Sequence, residues 1–109
     1  MMPGFTVLPA ADSDLDAQAE YLAREASLET ALRFYDAASS TFGNLTLMPA
    51  VGELRESSNP RLAGLRIWHI EGFPNHLIFY RIIDGDIEIV RVLHGARDID
   101  SVLESENPD

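Results

Sequence analysis

The chain contains no cysteine and no lysine; all eight of its basic residues are arginine. Without cysteine there is no disulfide framework, no thiolate nucleophile and no thiolate-ligated metal. The missing lysines, set against 18 carboxylates and a formal net charge of −10, remove most of the charge that would displace counterions from a phosphate backbone, so direct nucleic-acid binding is not expected. No apolar run approaches the roughly 18 residues of a membrane span. Met1-Met-Pro-Gly-Phe-Thr-Val-Leu8 has no basic region followed by a long apolar stretch and does not read as a signal peptide. The three histidines, at 69, 76 and 94, are too scattered to suggest a metal centre, and no cofactor is implied. These absences lead to the expectation of a soluble, cytoplasmic protein with no membrane association. At 109 residues the chain has room for one domain spanning 1–109.

The charges that are present are unevenly placed. Residues 1–60 carry three arginines against nine carboxylates, and residues 98–109 carry five carboxylates and no base. Residues 61–97 hold five arginines and all three histidines against four carboxylates. The least acidic surface must come from this last stretch.

Periodicity divides the chain into two halves. Phe5–Leu8 reads as a short strand, and Pro9 suits the first position of a helix, where its missing N–H is not needed. Ser13 to Asp16 offers an alternative start one turn later. Leu15, Ala19 and Leu22 recur at helical spacing and predict an amphipathic helix to about Arg24. Ser27 is a good N-cap for a second helix, with Leu28, Ala31, Tyr35, Ala38, Phe42 and Leu45 as its apolar stripe, ending before Pro49. So short a link makes the pair an antiparallel hairpin. From Pro49 to Gly64 the pattern stops, and a loop is expected. Strands follow at Leu65–Ile70, His76–Ile83 and Asp86–Leu93, with turns at Glu71–Asn75 and Asp84–Gly85. Residues 98–109 read as a helical turn near Ile99 and an acidic tail, dispensable for folding beyond Glu104. The predicted class is α+β, in the order β-α-α-β-β-β, with the helical hairpin on a small antiparallel sheet.

The stretch from Phe73 to Asp98 carries a more specific signal. An apolar strand ends in Leu77-Ile-Phe-Tyr-Arg81, an acidic turn follows, and the chain continues Ile89-Val-Arg-Val-Leu-His-Gly-Ala-Arg-Asp98. This pattern resembles the ParE/RelE superfamily of type II toxin–antitoxin toxins, and its Leu93–Asp98 ending is more similar to the ParE branch. The resemblance implies a growth-inhibiting toxin, of the kind that serves plasmid stabilisation, that binds DNA gyrase. It also implies neutralisation by a cognate antitoxin from the same operon, in a hetero-oligomer. On this reading Arg66, Arg81, Arg91, His94 and Arg97 are the partner-binding candidates, expected to gather on the sheet face away from the hairpin if strand register allows. Strand alternation puts Arg66 with Trp68 and Ile70, and Arg91 with Ile87, Ile89 and Leu93.

The RelE branch implies a different use, ribosome-dependent cleavage of messenger RNA. That reaction needs a base, an acid and cations on the phosphate. Arg66, Tyr80, Arg81 and His94 supply those residue types, but an acidic surface suits RNA poorly. A non-toxic partner-binding module of the same fold is the third reading. Each candidate also has a structural role open to it: His94 as a turn residue, Arg81 and Arg91 as cross-strand partners of Asp84, Asp86 or Glu88, and Trp68, Phe34, Tyr35 and Phe42 as packing residues.

Overall fold

The computed structural model describes residues 4–95 and 99–105. Strand β1 (Phe5–Val7) leads into helix α1 (Pro9–Glu25), which is followed by α2 (Leu28–Leu47). A two-residue strand β2 (Glu53–Leu54) and a single 3-10 turn (Pro60–Leu62) precede β3 (Arg66–Ile70), β4 (Phe73–Ile83), β5 (Asp86–His94) and a last helix α3 (Ile99–Ser105). The sheet order is β1-β5-β4-β3-β2. Its first pair is parallel, Phe5 to Val7 lying beside Ile87 to Ile89, so the sheet is mixed where a purely antiparallel one is expected. The second departure is β2, too short to leave a periodic signal in the sequence.

Local chemistry accounts for the boundaries. Pro9 does start α1, so Ser13 to Asp16 lies inside the helix and frees the Asp14 carboxylate for other work. The Ser27 hydroxyl accepts the Thr30 N–H at 3.0 Å and starts α2. The β4–β5 turn is closed by Asp84 and Gly85 at φ 52° and 85°, the left-handed pair that a two-residue hairpin turn requires. The β3–β4 turn is also two residues, with Ile70 opposite Phe73, and not the five expected. Pro74 is tolerated there because the register jumps between His69 and Ile70, so no ladder bond is asked of its missing N–H.

The main core lies between the hairpin and the sheet. Ala11, Leu15, Ala19, Ala31, Phe34, Ala38, Phe42 and Leu45 meet Ile70, Ile78, Tyr80, Ile87, Ile89 and Val92, with Trp68 half-buried at the margin. Alanines at the facing positions let the helices sit close. Phe34 anchors the hairpin, its ring edge-on to Phe73 at 5.2 Å and to His76 at 4.9 Å. Tyr35, expected in the core, is 39% exposed and donates its hydroxyl to Asp16 Oδ1 at 2.6 Å.

A β-bulge reorders the end of β5. Phe79 pairs with Arg91 but Tyr80 with Ile89, so Val90 is an extra residue and the alternation shifts by one. Ile87, Ile89 and Val92 therefore face the hairpin, while Val90 and Leu93 join a second cluster on the other face. The expected grouping of Leu93 with Ile87 and Ile89 is overturned by that single residue. The second cluster unites Leu62, Leu65, Phe79, Leu93 and Leu103, so the far face is partly covered by α3 and the 3-10 turn instead of standing open. Leu103 is the α3 residue buried in it, at 2% exposure, with Ile99 and Val102 packed alongside. Leu103→Ala is expected to cost about 2–4 kcal/mol, the usual loss for a buried leucine, measured as a lowered urea midpoint.

Candidate functional site

Strand β1 ends at Val7 and the chain turns away into α1, so on that edge β5 has no strand neighbour beyond Ile89, although β4 still pairs with it on the other. Unpaired backbone groups at a buried edge are costly. Two α1 side chains one turn apart supply what the missing strand would. Asp14 Oδ2 accepts the Val92 N–H at 3.0 Å, and Gln18 Nε2 donates to the Val92 carbonyl at 2.7 Å. Asp14 also holds Arg91 in a bidentate pair, from Nε at 2.7 Å and Nη2 at 2.8 Å. Gln18 Oε1 lies 2.6 Å from His76 Nδ1. Because the Gln18 amide nitrogen is already committed to Val92, its oxygen must accept, so His76 carries its proton on Nδ1.

His76 pairs in register with His94 across β4 and β5, with ring centroids 5.2 Å apart. Burial lowers the His76 pKa, and the neighbouring His94 lowers it further. A cavity of about 450 Å³ opens beside them, walled by Ala17, Gln18, Tyr21 and Leu22 of α1 together with both histidines, and reaching Asp14 at its floor. A second, smaller cavity of about 170 Å³ opens on the far side of β5, where Arg61, Arg81 and Arg91 converge over Leu62, Val90 and Leu103.

The sequence candidates are thus not gathered on one face. Arg66 points to the hairpin side, where its Nη1 donates to the Gly52 carbonyl at 2.8 Å. Its strand partner Tyr80 is fully buried. The Tyr80 hydroxyl donates to the Pro49 carbonyl at 2.8 Å and accepts the Gly52 N–H at 2.9 Å, and burial raises its pKa. Position 52 must be glycine, since a Cβ there would stand 2.5 Å from the Tyr80 oxygen and 2.8 Å from the Ile67 carbonyl. Arg81 lies on the opposite face, its Nε 3.5 Å from Glu88, its cross-strand partner, and its Nη2 donating to the Arg61 carbonyl at 3.3 Å. Arg91 is spent on Asp14, not on a carboxylate across the strand. His94 stands at the other end of β4–β5, four residues along β4 from Tyr80, about 13 Å at strand rise. Arg97 lies outside the described residues. The structure brings Arg66 to Tyr80 and Arg81 to Arg91, but neither pair to His94, and the expected common groove is replaced by two separate cavities.

Asp14, Gln18, His76, Tyr21 and Arg61 were not singled out from the sequence. The available signal was Asp14 and Gln18 at a four-residue spacing on the flank of an otherwise apolar helix stripe, polar residues that a strand edge could use. Among the described residues no group of three potential metal ligands is found, and no helix is long and apolar enough to cross a membrane.

Comparison with known proteins adds a family and a fold. A family model described as the ParE toxin of the type II toxin–antitoxin system, parDE, matches residues 6–99. No curated protein matches the chain. Among solved structures, a chain of the chromosomal ParDE toxin–antitoxin system from P. aeruginosa is similar with a TM-score of 0.68 and 22% identity, over 85% of this chain and 96% of that one.

Two outcomes follow from the Asp14 junction. Asp14→Asn, which keeps an acceptor for the Val92 N–H but removes the charge paired with the buried Arg91, is expected to cost about 3–5 kcal/mol. Asp14→Leu should cost about 1–3 kcal/mol more, because the N–H is then unsatisfied too; urea denaturation of both variants measures the difference. The histidine pair sets a pH dependence. With the folded-state pKa of His76 below its ordinary 6.5, the unfolded chain takes the proton first, so this group's contribution is intact above that value and is lost as pH falls through and below it. Stability measured from pH 8 to 5 should therefore fall less steeply in His76→Asn than in the unaltered chain.

Proposed function

The chain belongs to the ParE toxin family of type II toxin–antitoxin systems, and from that premise we propose that it acts by binding, inhibiting DNA gyrase until a cognate antitoxin from the same operon neutralises it in the cytoplasm. One observation carries the choice of binding over catalysis: the side chains that an RNA-cleaving site would use are separated and structurally employed. The Tyr80 hydroxyl holds the 49–52 loop through two hydrogen bonds, and His94 sits at the far end of the sheet, beside His76. A general acid and base must both reach one reacting group, and these do not share one.

Two surfaces support the division of labour. On the far face Arg61, Arg81 and Arg91 line a cavity whose other walls are apolar, a cluster of positive charge on this acidic chain that suits a target with acidic contacts. On the helical side, residues 9–47 carry seven carboxylates against two arginines. Tyr21, Leu28 and Leu32 there are 55%, 68% and 57% exposed. Apolar side chains displayed on an acidic hairpin suit a basic amphipathic segment that folds as it binds.

Expression without antitoxin is expected to halt DNA replication, and the purified protein to reduce gyrase supercoiling. Arg81→Glu should weaken that inhibition about tenfold or more through charge reversal at the contact, while His94→Ala leaves it intact. Primer extension on translated messages, run beside the gyrase assay, decides between the readings. Ribosome-dependent cuts lost in His94→Ala, with unaffected supercoiling, would establish the RNA-cleaving alternative. Absence of both effects, with an antitoxin still bound, would leave the non-toxic module.

A further inference from the structure

The cavity beside His76 and His94 has a chemistry that neither gyrase binding nor the fold requires. It is lined from α1, β4 and β5 and from no residue of α2. Its volume of about 450 Å³ lies within the range of pockets that enclose an organic group, roughly 300–1,000 Å³. Ala17, Leu22 and the ring of Tyr21 make its walls apolar. Its polar groups are fixed before anything binds. Gln18 is held at both ends, by the Val92 carbonyl and by His76, and Asp14 is saturated by Arg91 and Val92. With its proton on Nδ1, His76 offers Nε2 as a lone pair, and that atom has no hydrogen-bond partner among the described residues. An apolar-walled cavity with an imidazole acceptor in its lining is complementary to an aromatic ring that carries an N–H or O–H donor.

We propose that this cavity receives a tryptophan or tyrosine side chain from a cationic segment of the antitoxin. The proposal rests on the antitoxin reading given above and adds the anchor to it. The occupant's charge follows from α1, which carries five carboxylates against one arginine, Asp14 alone of the five being paired with Arg91, and which repels an acidic segment and a second copy of this chain alike. Such a buried aromatic anchor in a preformed pocket is the usual form of an interface hot spot.

Ala17 is exposed at the cavity wall, so Ala17→Trp fills the cavity from the chain's own side without entering the core. Calorimetric titration with the product of the adjacent antitoxin gene is expected to show binding to the unaltered chain, weakened about 30-fold or more in Ala17→Trp, the loss of one hot-spot residue. Equal binding to both would overturn the cavity proposal and leave the antitoxin reading standing. No binding to either would overturn both. A second arm uses the unaltered chain alone and is independent of how Ala17→Trp folds. Indole should perturb the NMR signals of His76, His94 and Tyr21 at pH 7.5, and 1-methylindole, which lacks the donor, should do so at least tenfold more weakly. Equal responses, or none, would overturn the assigned chemistry.

Discussion

The contact of Asp14 and Gln18 with Val92 is the constraint on which the rest of the molecule depends. A sheet whose first strand is three residues long cannot satisfy the nine-residue strand beside it, and a helix cannot hydrogen-bond to a strand through its own backbone. Side chains at one-turn spacing solve this, since they project from the same flank of α1 and meet the donor and acceptor of a single strand residue. That fixes the rotation of α1 about its axis and its height over the sheet. Arg91 then follows, because a carboxylate buried for the sake of a backbone N–H is stabilised by a counter-charge. The geometry of the histidine cavity follows as well, since Gln18 is what orients His76.

Much of the architecture was legible in the sequence because it rests on local rules. Pro9, Ser27 and the Asp84–Gly85 pair mark boundaries by backbone chemistry that operates wherever those residues fall, and the helical spacing of Ala31, Ala38, Phe42 and Leu45 needs no knowledge of a partner. The candidate site was much less legible. Arg66, Arg81, Arg91 and His94 were expected to gather only if strand register allowed, and register is what counting alternate residues cannot supply: the count fails where Val90 is inserted and where the β3–β4 pairing slips after His69. Alternation is a property of an unbroken ladder, and bulges are decided by tertiary fit. Asp14 was passed over for a related reason: on a helix rich in carboxylates nothing local distinguishes the one whose partner lies 77 residues away.

The ionisable residues of the β-rich half are mostly engaged in holding loops and edges. Tyr80 and Arg66 fasten the 49–52 segment, Arg81 spans to Glu88 and to the Arg61 carbonyl, and Arg91 closes the α1 junction. A protein arranged in this way presents shape and charge, and its histidines stand at a cleft instead of among phosphate-binding cations. This arrangement agrees with the binding role proposed above. On the proposed reading, arginine on one face and carboxylates on the other would keep the target surface apart from the surface the antitoxin covers.

Trp68, the chain's single tryptophan, sits on β3 opposite Ile78, half-buried against the main core and with its ring centroid 4.8 Å from that of His69. It lines neither cavity. Intrinsic fluorescence excited at the indole band therefore reports on the seating of the hairpin over the sheet and is blind, to first order, to what occupies the histidine cleft or the arginine rim. The fold thus carries an optical probe of its own integrity that is separate from both cavities, and a tryptophan brought in from outside would be read as a new emission instead of a change in the old one.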